Sequence, residues 1–125
     1  MTGGADTLRD LLIATCAVSA GIHAALVPAH LAEGAAAGTA FAASAALLAG
    51  LAVALTRGPD SPVLVATAAT LAALLAAYVL AVTTGVPVLH PEPEPVDGLA
   101  LFTKAVEATG LAAALNLLRP KVAFA

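Results

Sequence analysis

The chain has 125 residues, 61% hydrophobic and only 10% charged, whereas an average soluble domain carries about 25% charged residues. A formal net charge of -3 without any cluster of Lys or Arg excludes the basic surface that a nucleic-acid partner requires. A single cysteine excludes a disulfide framework within the chain and any paired-thiol metal motif.

Mean hydropathy is +1.00, and the apolar residues come in long runs with no charged face, so water is not the main solvent of this chain. The length suits one domain, residues 1–125. The first apolar run follows a short segment holding Arg9, as in a signal peptide. That segment also carries Asp6 and Asp10, and three further runs follow, so a retained helix is expected.

Taken in chain order, the first span covers residues 11–29. No Asp, Glu, Lys or Arg falls between Asp10 and Glu33, and Pro28 is expected to end the helix. Cys16 lies within this run and reads as a small buried apolar side chain. The second span, 34–56, opens on Gly34-Ala-Ala-Ala-Gly38, a small-xxx-small element that lets helix backbones approach closely. Neither the partner of that element nor its distinction from plain alanine richness follows from sequence. The turn-forming Arg57-Gly58-Pro59-Asp60-Ser61-Pro62 closes the span. A third span covers 63–85. His90-Pro91-Glu92-Pro93-Glu94-Pro95 then favours an extended, polyproline-like path, and Asp97 stands where a helix N-cap belongs. The fourth span, 98–118, stops at Arg119-Pro120-Lys121.

The expected fold is therefore an all-α membrane protein, a bundle of four transmembrane helices in the lipid bilayer. Arg9, Arg57, Arg119 and Lys121 all fall on one side of that layout, which the positive-inside rule makes cytoplasmic, along with both termini. The span count and an alanine abundance typical of high-GC genomes point to a bacterial inner membrane. The opposite connections hold no Lys or Arg but carry His30, Glu33, His90, Glu92, Glu94 and Asp97.

Four polar residues interrupt the apolar spans: His23, Tyr78, Lys104 and Glu107. At ~1.5 Å of rise per residue they lie ~9 to 13 Å in from the histidine-bearing ends of their spans, at one level. Lys104 and Glu107 are at i and i+3 on one helix face, and Thr103, four before Glu107, shares it. Thr39 and Ser44 stand at a similar depth in the second span. An ionised side chain near the bilayer centre costs at least ~2.5 to 3.5 kcal/mol, so these groups are expected to face inward as one polar cluster. The cluster has either a functional role or a fold-specifying one in which Lys104 and Glu107 neutralise each other.

His30, Glu33 and His90 are candidate ligands for Zn²⁺ or Cu²⁺, which favour imidazole and carboxylate donors. Seven residues separate His23 from His30, close to two helical turns, which puts His23 on the same stripe if the helix runs on past Pro28. Glu92 and Glu94 point different ways in an extended segment and are expected to remain solvated. No nucleophile elbow or phosphate-binding loop is present, and no catalytic residue is assigned. Three functions remain open: binding or transport of a divalent metal or small cationic solute; an accessory or homo-oligomeric subunit of a membrane complex; and an intramembrane enzyme or haem protein using two of the histidines.

Overall fold

The computed structural model describes residues 3–120. It is all helical: α1 (Gly3–Glu33), α2 (Ala35–Arg57), α3 (Ser61–Thr83) and α4 (Gly98–Leu118). The shortest, at 21 residues, is about 31 Å long, the thickness of a bilayer's hydrocarbon core. All four are long and apolar enough to cross a membrane. The expected flanking cation Lys121 lies outside the described residues.

Each helix packs on its neighbours in a closed ring, α1 on α2 and α4, and α3 on α2 and α4. Helices α1 and α4 run in opposite directions, as shown by Ser19 meeting Glu107 and Thr15 meeting Gly110, and so do α1 and α2, where Leu31 meets Gly38 and His23 nears Phe41. This brings Arg9, Arg57 and Arg119 to one end of the bundle, hereafter the arginine end. His30, Glu33 and the 84–97 connection lie at the other, the histidine end.

Two helix starts follow from local chemistry. Asp60 accepts from the Val63 N–H at 3.2 Å, and Asp97, at the expected cap, accepts from the Ala100 N–H at 2.7 Å. At the end of α3, Gly85 has φ 80° and donates to the Leu80 carbonyl at 2.8 Å. A side chain there would run into the Pro91 carbonyl, so both conformation and space demand glycine.

Helix α1 does not end at Pro28 but continues to Glu33. Pro28 withdraws one backbone donor from the helix, yet its ring lies on the exposed side, and a helix held by neighbours tolerates that loss. The extra turn carries His30 and Glu33 into the bundle's end instead of leaving them in a loop.

The apolar core occupies the arginine half. Leu12, Leu48, Leu55 and Leu71 are fully buried there, with Cys16 and Ala114 between them. The helices α2 and α3 touch least of the four neighbouring pairs, and the buried α2 and α3 leucines lie towards the short connection that joins them. Their other halves stand apart, leaving room at the histidine end. Outward positions on every helix carry exposed large apolar side chains, among them Val18, Leu47, Val65 and Phe102.

The small-xxx-small element is resolved into unequal halves. An added Cβ at Gly34 would meet nothing, whereas at Gly38 it would stand 2.9 Å from Leu31 Cα and overlap the Leu31 side chain. Its partner is thus α1 of the same chain. Gly38→Ala is expected to destabilise the α1–α2 pair by about 1–3 kcal/mol, because a backbone atom cannot be moved aside by changing a rotamer. Gly34→Ala should have no comparable effect. Thermal unfolding of both variants in mild detergent checks this difference.

Candidate functional site

The space between the diverging halves of α2 and α3 is a cavity of about 380 Å³. All four helices and the 84–97 connection line it, with His30, Glu33, His90 and Glu94 at the mouth and His23, Tyr78, Thr103 and Lys104 deeper in.

At the mouth, ligand atoms of His30, Glu33 and Glu94 lie within 4.8 Å of one another. His90 Nε2 is 3.7 Å from a carboxylate oxygen of Glu33 and 3.7 Å from one of Glu94. These residues come from two distant segments, and local bonds bring them together. The Val86 and His90 backbones exchange hydrogen bonds at 2.6 and 2.8 Å. Between them Leu89 N–H donates to the Pro87 carbonyl around Val88 at φ 70°, the geometry of a strained γ-turn. The Glu94 N–H then donates to the Ala81 carbonyl at 2.7 Å, tying the extended segment to the end of α3.

Both mouth histidines have their tautomer set by the backbone. His30 Nδ1–H donates to the Leu26 carbonyl at 2.9 Å, and His90 Nδ1–H donates to the Glu92 carbonyl. Each therefore keeps the Nε2 lone pair free, as metal-ligating histidines usually do. The Phe41 ring stacks on His30 at 3.6 Å between centroids and fixes the plane of the imidazole.

The expected metal residues His30, Glu33 and His90 thus share one place, and Glu94 joins them. The expectation that Glu94 would stay in solvent beside Glu92 is corrected: Glu92 is exposed, while Glu94 is partly buried against His90. The same extended backbone that separates the two side chains sends one inward and the other out.

Deeper in, Glu107 is fully buried. It accepts a hydrogen bond from Lys104 Nζ at 2.6 Å and another from Ser19 Oγ at 2.6 Å. Ser19 is the partner that the sequence reading missed. It was detectable as the middle of a polar stripe on α1, Thr15, Ser19 and His23, each four residues from the next. His23 Nδ1–H donates to the Ser19 carbonyl at 2.8 Å and approaches its hydroxyl at 3.3 Å. Lys104 Nζ lies 5.6 Å from the centroid of the Tyr78 ring, within cation–π range.

The cluster expected of His23, Tyr78, Lys104, Glu107 and Thr103 is therefore assembled, with two qualifications of role. Thr103 is buried but donates to the Leu99 carbonyl of its own helix at 2.8 Å, not to Glu107. The Tyr78 hydroxyl is buried and has no hydrogen-bond partner among the described residues. Of the second-span hydroxyls, Ser44 lines the cavity and bonds back to Ala40, while Thr39 is exposed and takes no part.

Compared with known protein families, curated proteins and solved structures, the chain matches none.

Proposed function

We propose that this chain is a polytopic protein of a bacterial inner membrane, with both termini in the cytoplasm, that captures a divalent transition-metal ion, Zn²⁺ or Cu²⁺, at its outward end. The convergence of His30, Glu33 and Glu94 within 4.8 Å, with His90 against both carboxylates, is the observation that carries it. Zn²⁺ holds its ligands at ~2.0–2.2 Å, so tetrahedral donors stand about 3.4 Å apart. The mouth lies one small side-chain adjustment from that spacing. Two carboxylates this close repel each other unless a cation lies between them. The imidazoles choose a transition metal over Ca²⁺ or Mg²⁺. Calorimetric titration of the purified protein with Zn²⁺ and Cu²⁺ is the direct test.

Membrane insertion is supported by the apolar outward side chains, which would be an aggregation liability on a soluble monomer. Orientation is supported by the three arginines at one end and the cation-free connections at the other. In a Cys16→Ala background, Pro93→Cys is expected to react with a membrane-impermeant thiol reagent in intact cells, and Pro59→Cys only after lysis. The reverse pattern would invert the topology and put the metal site in the cytoplasm.

A further inference from the structure

Helices α1 and α3 stand at opposite corners of the ring, with α2 and α4 between them. At the histidine end each carries half of the metal mouth. His30 and Glu33 sit on the last turn of α1, which is held to α2 by Leu31 against Gly38 and by Phe41 on the His30 ring. His90 and Glu94 sit on the 84–97 connection, which is held to the end of α3, where the Gly85 N–H donates to the Leu80 carbonyl and the Glu94 N–H to the Ala81 carbonyl. Among the described residues no hydrogen bond joins that connection to α1 or α2. What spans the gap is His90 Nε2, 3.7 Å from a Glu33 oxygen. The α2–α3 side of the ring, which could brace the two halves here, has the least contact of the four.

We propose that the captured metal is also the gate of the cavity: held by His30 and Glu33 on one side and by His90 and Glu94 on the other, it staples the 84–97 connection to α1 and shuts the space behind. Without an ion the Glu33 and Glu94 carboxylates, whose ligand atoms lie within 4.8 Å, push the two sides apart. An open mouth offers the ion two ligands on either side and a closed mouth offers all four, so binding favours closure by that difference. A ligand set on a single segment would have no such effect. The cavity behind leads to Lys104, whose side chain is 17% exposed, so the same ion decides whether water reaches the Lys104–Glu107 pair. The gate rests on the metal reading of the mouth.

The test uses the full chain in lipid nanodiscs, in a Cys16→Ala background. Ser44 lines the cavity nine residues after Ala35, the first of α2, or ~13 Å in. Ser44→Cys is treated with iodoacetamide, which is neutral, so the charge of a bound ion does not repel it. Saturating Zn²⁺ is expected to slow alkylation by about tenfold, within the usual range of coupling between two sites, and a chelator to restore the rate. Nitroxide labels on Ala32→Cys and Pro93→Cys, both exposed, report the gap itself. Their distance distribution should be broad without metal and narrow to one short distance with Zn²⁺. Protection that persists when His30→Ala and His90→Ala are added means that the introduced thiol takes the zinc, and it overturns the proposal. Calorimetry on the same samples separates the failures. Absence of zinc binding overturns the metal reading and the gate together, whereas bound zinc with an unchanged rate or an unchanged distance distribution overturns the gate alone.

Discussion

Replacing Glu107 by leucine is expected to destabilise the bundle by about 3–5 kcal/mol, the penalty for removing one partner of a buried ion pair. Glu107 has no solvent exposure, and its side chain accepts from both Lys104 and Ser19. Removal leaves an ammonium without its anion inside an apolar bundle and a serine hydroxyl without its acceptor. Lys104→Met is expected to be destabilising for the complementary reason, since the carboxylate that remains is the deeper of the two groups. The Lys104 side chain keeps 17% of its exposure through the cavity, so water softens the first loss more than the second. Lys104→Met with Glu107→Leu should recover most of the stability, because two apolar side chains of similar size leave no charge to bury. Thermal unfolding of the two single variants and the double variant in one detergent gives the coupling energy. A double variant no more stable than the worse single would mean that the two residues do not act as a pair.

The second large effect is on metal affinity. His30→Ala and Glu94→Gln should each weaken Zn²⁺ binding by at least about ten- to a hundredfold, the loss seen even when an outer partner of a metal ligand is removed. His30→Ala with His90→Ala should abolish it. Glu92→Gln should change nothing, since that side chain is exposed and only its carbonyl is used. The sign of the pH dependence separates two roles for His90. As a ligand its imidazole must be neutral, so affinity falls as the pH is lowered. As an imidazolium latch between Glu33 and Glu94, it would tie the 84–97 connection to α1 more firmly at acid pH, with no metal required. Titration at pH 7.5 and 5.5, paired with thermal unfolding of the metal-free protein at the same two values, measures both. Binding no tighter than about millimolar at pH 7.5, or binding untouched by loss of both histidines, would remove the metal reading. An accessory subunit of a membrane complex would then be the better proposal.

The four helices were legible because their causes are local. A run of about twenty apolar residues, an Asp before it and an Arg-Pro after it act within a few residues of themselves, and α4 begins at Gly98 and ends at Leu118 as expected. The Lys104–Glu107 pair was legible for the same reason, since an i,i+3 spacing determines who can reach whom before any packing occurs. Pro28 misled because the rule that a proline ends a helix is also local, whereas the support that carries α1 on to Glu33 comes from packing against α2 and α4.

The bundle's end was decided elsewhere. That Glu94 meets His90 and Glu33 while Glu92 does not depends on the turn at Val86–His90 and on one backbone bond from Glu94 to Ala81, neither of which has a sequence signature. That Ser19 completes Glu107 depends on α1 lying beside α4, a choice among ring orders that patterning does not make when every helix also presents apolar side chains outward. Sequence alone determined how many helices there are, where α4 starts and stops, and which residues are too polar to face lipid. Only the tertiary structure decided which of those residues meet, because their contacts span the chain and depend on how its helices pack.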